Sequence, residues 1–135
     1  MRREKSAGAV IFAEENTGRN YLVLHSTLGH TTLCKGHVER AETEHETAIR
    51  EIREETGLTV DFIDGFREVV TYSPQPGVVK DVVFFLARLF GGELTCQPEE
   101  VADARFLPFE EALEALTHPS DRDTLQKARA FLEGR

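Results

Sequence analysis

The chain has 135 residues, 40% of them hydrophobic and 30% charged, enough for one domain around a single core and too few for two. Its formal net charge of −8 is the wrong sign for a sequence-independent nucleic-acid binder, whose footprint is basic, so no stable nucleic-acid partner is expected and any polyphosphate ligand must be brought in with a cation. The longest apolar stretch, Val82 to Ala87, is far too short to cross a bilayer. Cys34 and Cys96 have no metal-ligand spacing and no signal segment precedes them, which points to a reduced, cytoplasmic setting.

In chain order, Ser6 to Ala13 reads as a buried strand, Glu14 to Asn20 as a turn containing Gly18, and Tyr21 to His25 as its hairpin partner. Ser26 to Cys34, rich in Thr, Gly and His, reads as a loop. Thr43 followed by Glu46 has the spacing of a capping box, so a helix begins near Glu44, and Gly57, free to turn left-handed, ends it. At about 100° per residue, Ala48, Ile49 and Ile52 share the face that packs on the domain, with Glu51, Glu54 and Glu55 in a patch beside it. Carboxylates at this spacing lie within roughly 5–6 Å at Cβ and repel, so something positive must compensate. Arg50 and Arg53 lie further round the helix, and surface pairing with them is worth at most about 1 kcal/mol each. A hard divalent cation, magnesium or manganese, suits such oxygens and keeps waters for chemistry. The plain alternative is a solvated, charge-rich helix face.

Beyond Gly57 come strands at Leu58 to Ile63 and Phe66 to Tyr72, a Pro/Gly loop at Ser73 to Gly77, and the strongest strand, Lys80 to Phe90. Glu93 to Thr95 and Ala104 to Leu107 read as short strands, and Pro108 to Leu116 as a short helix. A last helix starts at Ser120 with Asp123 three residues on, carries the stripe Leu125, Ala128, Phe131 and Leu132, and stops at Gly134. Strands interspersed with helices fit a layered α/β/α domain spanning 1–135, whose sheet order periodicity cannot give.

One segment, 36–58, carries an unbroken pattern: Gly36, five residues, Glu42, seven residues, then Arg50-Glu51-Ile52-Arg53-Glu54-Glu55-Thr56-Gly57-Leu58. This resembles the Nudix box, the loop–helix–loop of hydrolases that cleave a nucleoside diphosphate linked to a further group. The resemblance implies an α/β/α sandwich with a mixed central sheet, magnesium on Glu51, Glu54 and Glu55 with the Gly36 carbonyl as a further ligand, Arg50 orienting Glu51, and Glu42 fixing the helix to the loop before it. Lys35-Gly36-His37-Val38-Glu39, Glu46 to Glu51, and Gly65-Phe66-Arg67-Glu68 followed by Tyr72 resemble the asymmetrical diadenosine tetraphosphate hydrolases within that family. The chain departs from their pattern at Thr31, Leu33 and Cys34, where a tryptophan and prolines are usual, and at Arg40-Ala41, where Pro-Gly is usual. Less proline there implies a more mobile loop.

Outside the box, Lys35 and Lys80 read as phosphate contacts by point charge and ammonium donors, against the plain reading of solvated lysines. Tyr72, before a Pro/Gly loop, reads equally as core or as a platform for a base. His37 reads as a loop histidine near the phosphates, and Glu100 falls where related hydrolases place a glutamate near the metals. His25, His30, His45 and His118 show no ligand spacing. The expected activity is metal-dependent hydrolysis of dinucleoside polyphosphates, such as diadenosine tetraphosphate to ATP and AMP, with Glu54 or Glu100 taking the proton of the attacking water. The alternatives are hydrolysis of modified nucleoside triphosphates or of triphosphorylated or capped RNA ends, and a nucleotide sensor that does not cleave.

Overall fold

A computed structural model describes residues 1–95 and 101–135; Cys96, Glu99 and Glu100 fall outside these. Eight strands form one mixed sheet: β1 (Arg2–Glu15), β2 (Gly18–Ser26), β3 (Thr31–Thr32), β4 (Cys34–His37), β5 (Leu58–Phe62), β6 (Glu68–Gln75), β7 (Val78–Gly92) and β8 (Val101–Pro108). Among the described residues three helices, α1 (Glu44–Thr56), α2 (Phe109–Ala115) and α3 (Pro119–Glu133), cover it. At its centre β1 and β7 run parallel, Ser6 beside Val82 and Phe12 beside Arg88. β1 also pairs antiparallel with β2 at one end and with β4 at the other, while β7 pairs with β5 and β6. None of the described helices is long and apolar enough to cross a membrane.

Alternation along the central strands builds two apolar layers, one on each face. Ala7, Ala9 and Ile11 of β1 pack with Val83 and Phe85 of β7 under Ala48 and Ile52 of α1. Val10 and Phe12 face the other way with Val82, Phe84 and Leu86, under Ala112 of α2 and Leu125, Ala128 and Leu132 of α3. Both faces of β7 are therefore buried at mid-strand, which accounts for its unbroken apolar run.

The structure corrects several sequence expectations. Ile49 is 42% exposed; the buried stripe of α1 is Ala48, Ile52 and Thr56 at i, i+4 spacing, joined by Thr47. The Ser26 to Cys34 stretch contains β3 and the start of β4 rather than loop alone, since Leu24 and His25 pair with Thr32 and Thr31. Glu93 to Thr95 forms no strand; β7 instead runs on through Gly91 and Gly92, which pair with Thr59 and Leu58. The Pro/Gly loop is shorter than its composition suggests, because β6 continues to Gln75. α3 begins at Pro119, with His118 at the N-cap and no side-chain cap, as proline's fixed φ and missing N–H suit a first helical position.

Candidate active site

The segment 36–58 is organised from both ends. Thr43 accepts the Glu46 N–H at 3.1 Å while Glu46 accepts the Thr43 N–H at 2.8 Å, completing the capping box. At the far end Gly57 takes φ +75° and donates its N–H to the Arg53 carbonyl. The loop ahead of the helix turns at Ala41, the one non-glycine among the described residues with positive φ, +69°. A side chain there costs about 1–2 kcal/mol, and this is the position where the resembling pattern carries glycine.

Arg50 is the hub of the segment. Its Nε donates to Glu42 Oε2 at 2.6 Å, and Nη2 donates to Glu42 Oε1 at 3.0 Å and to the His37 carbonyl at 2.9 Å. Nη1 donates to Glu51 Oε2 at 2.9 Å and Glu54 Oε1 at 2.8 Å. The arginine set aside in the sequence as lying further round the helix is thus the positive charge that Glu51 and Glu54 share. Glu42 is itself fixed by the Thr47 hydroxyl at 2.8 Å and the Glu39 N–H at 3.0 Å. The Arg50 guanidinium, followed by the Glu39 N–H, holds its carboxyl at about 2. One planar fork therefore ties the loop, the end of β4 and two helix carboxylates together.

Beside this hub lies a polar cavity of about 340 Å³, walled by Glu51 and Glu55 from α1, by Lys35, Gly36 and His37 from β4, and by Lys80 from β7. Glu54 is placed on Arg50 and is not part of this wall. Gly36 is packed against the Glu51 carboxylate so closely that a Cβ would sit 2.0 Å from Cδ. We expect Gly36→Ala to fold with a near-normal melting temperature, because the clash falls on the end of a flexible side chain. It should lose most of its activity through displacement of Glu51; unchanged turnover would dissociate Glu51's position from function. Glu55 Oε1 accepts from the Cys34 thiol at 3.6 Å, and burial, then the Glu55 charge, pushes that thiol well above its ordinary range. Burial, then the neighbouring Lys35, pulls the Lys80 ammonium down, so two lysines share the cavity wall with the carboxylates and an anion beside Lys80 would oppose that shift.

Among the described residues no group of three His, Cys, Asp or Glu side chains is gathered tightly enough to hold an ion. The donor set nonetheless fits a hard divalent cation: two carboxylates, the Gly36 backbone packed against one of them, and an open polar cavity for the waters such an ion retains.

Tyr72 is 41% exposed and so is not core. On the same sheet face as its cross-strand partner Lys80, it lines a second cavity of about 370 Å³ with Val70, Val82, Phe84, His118 and Asp121. Lys35 borders both cavities. The sequence reading missed His118 and Asp121. The available signal was Asp121 itself, which stands four residues before Leu125 and seven before Ala128, on the apolar stripe of α3, where a carboxylate is out of place.

A family model described as NUDIX domain matches residues 2–128. The asymmetrical bis(5'-nucleosyl)-tetraphosphatase of Mus musculus is 33% identical, with 95% of each chain covered. The 8-oxo-(d)GTP phosphatase of Mycolicibacterium smegmatis is 38% identical over 71% of this chain, but that match spans only 29% of the phosphatase. A binary complex of the C. elegans Ap4A hydrolase superposes with a TM-score of 0.88 at 28% identity, covering 98% of this chain and 99% of that one.

Proposed function

Because this chain belongs to the Nudix family of hydrolases, which act on nucleoside diphosphate-linked substrates, and because one lysine joins its polar cavity to its aromatic one, we propose that it hydrolyses dinucleoside polyphosphates. The observation that carries this reading is Lys35, shared between the two cavities: a base beside Tyr72 leads its phosphates past Lys35 to Lys80 and the carboxylates of α1. An asymmetrical bis(5'-nucleosyl)-tetraphosphatase and an Ap4A hydrolase match this chain over nearly their whole length, so diadenosine tetraphosphate, split asymmetrically to ATP and AMP, is the substrate to expect. The buried thiol of Cys34 accords with a reducing cytoplasm.

In this reading Glu51 and Glu55, with the Gly36 carbonyl, would hold magnesium, Glu54 completing the carboxylate set; when bound, such an ion would supply charge neutralisation along the phosphate chain and a more acidic water. Lys35 and Lys80 hold non-bridging oxygens as charge shifts toward the leaving phosphate. Arg50 keeps Glu51 and Glu54 in place, and His37 faces the phosphates. Glu54 or Glu100 accepts the proton of the attacking water. The test is a substrate panel. We expect diadenosine tetraphosphate to be preferred over ATP, Tyr72→Ala to weaken its binding by roughly 1–3 kcal/mol, and Lys80→Ala to lower the rate. The M. smegmatis relative supports a second reading, hydrolysis of an oxidised purine triphosphate. Faster turnover of such a triphosphate, or of a triphosphorylated RNA end, would replace the first reading.

A further inference from the structure

The cavity beside Tyr72 contains a group that phosphate chemistry does not need. Asp121, in the first turn of α3, is only 5% exposed and lines this otherwise largely apolar space. Among the described residues its carboxylate receives one donor, the Leu33 backbone N–H, which reaches Oδ2 at 3.5 Å, the limit of a hydrogen bond. A carboxylate this buried with its acceptor capacity so poorly used is costly, and the stripe Leu125, Ala128 and Leu132 shows that an apolar residue would pack at this position.

We propose that Asp121 reads the edge of the base held in this cavity and selects guanine over adenine. The inference rests on the dinucleoside polyphosphate reading above and refines it: diadenosine tetraphosphate is still cleaved, but the diguanosine compound is bound and turned over more readily. An ionised carboxylate is an acceptor only, and guanine offers it two adjacent donors, the ring N–H and the exocyclic amino group. Adenine offers one amino group beside a ring nitrogen whose lone pair repels the second carboxylate oxygen. Burial raises the Asp121 carboxyl above its ordinary range, while the Leu33 N–H and the nearby Lys35 and His118, which share the cavity wall, oppose that rise, as does its place in the first turn of α3. Tyr72 supplies the stacking face, which any base can use, so discrimination falls to Asp121.

The test is calorimetric titration of the full chain with GMP, IMP and AMP without added metal, followed by turnover of diguanosine and diadenosine tetraphosphates with magnesium. We expect GMP to bind about tenfold or more tighter than AMP, the scale of a two-bond base contact, with IMP between them because it lacks the amino group. Asp121→Asn presents one acceptor and one donor, which suits adenine, and should reverse the order of GMP and AMP. Equal binding of the two, an adenine preference in the wild type, or an unchanged order in a folded variant would overturn the proposal. If the variant does not fold, as a thermal melt will show, the wild-type order of the three nucleotides decides alone. Guanine preference without cleavage of either tetraphosphate would support the base reading while removing the proposed substrate class; cleavage with no base discrimination would do the reverse.

Discussion

Glu55→Gln is expected to lower turnover by at least about a hundredfold while leaving the fold intact. The amide keeps the shape of the side chain that faces the polar cavity beside Cys34, but it removes the negative oxygen a hard cation needs. The same loss is expected for Glu54→Gln, whose carboxylate is the third of the set. Thermal stability should hold or rise in Glu55→Gln, since repulsion between carboxylates on adjacent turns is relieved, whereas Glu54→Gln also gives up its charge pairing with Arg50 and should melt no higher than wild type. Initial rates at saturating magnesium, together with a melting curve, check this. Full activity in either variant, or in wild type under excess chelator, would remove the carboxylates and the metal from the reaction.

Arg50→Lys is expected to lose much of the rate although the charge is kept. One guanidinium donates to Glu42 through two nitrogens and to the His37 carbonyl, Glu51 and Glu54 as well. An ammonium with three donors on a flexible stem cannot reproduce that fork. The variant should also melt earlier than wild type, with a pH dependence whose sign is fixed. Glu42 is held at about 2, below its ordinary 4.5, so the stability it gains from Arg50 is complete above the ordinary value and disappears as pH falls toward 2. The difference in melting temperature between Arg50→Lys and wild type should therefore be full near neutrality and shrink in acid. A variant with normal rate and melting behaviour would make Arg50 a plain surface residue.

The helix between Thr43 and Gly57 was legible because its signals are local: a capping box, an i, i+4 stripe and a terminal glycine. The pairing of β1 with β7 was not, since a parallel contact between strands separated by most of the domain leaves no trace in periodicity. Ile49 shows the limit of angular reasoning, because which edge of an apolar arc is covered depends on the sheet it meets. Arg50 shows another. It was set aside as lying further round the helix, yet it stands one turn before Glu54 and pairs with it, and the other acceptors that fix it lie partly on a loop and on β4. Lys35, Lys80 and Tyr72 were each singled out separately; that Lys35 borders both cavities emerged only from the register of β4, β6 and β7 on one sheet face. Asp121 was overlooked although its place on an apolar stripe was visible, because charge near a helix start is so often only a cap.

The most direct measurement of the central claim is product analysis by ion-exchange chromatography after brief incubation with diadenosine tetraphosphate and magnesium. ATP and AMP in equal amounts, appearing together from the first time point and abolished by chelator, are the expected result. ADP as the sole product, or no cleavage under conditions where an oxidised purine triphosphate is rapidly hydrolysed, would contradict it.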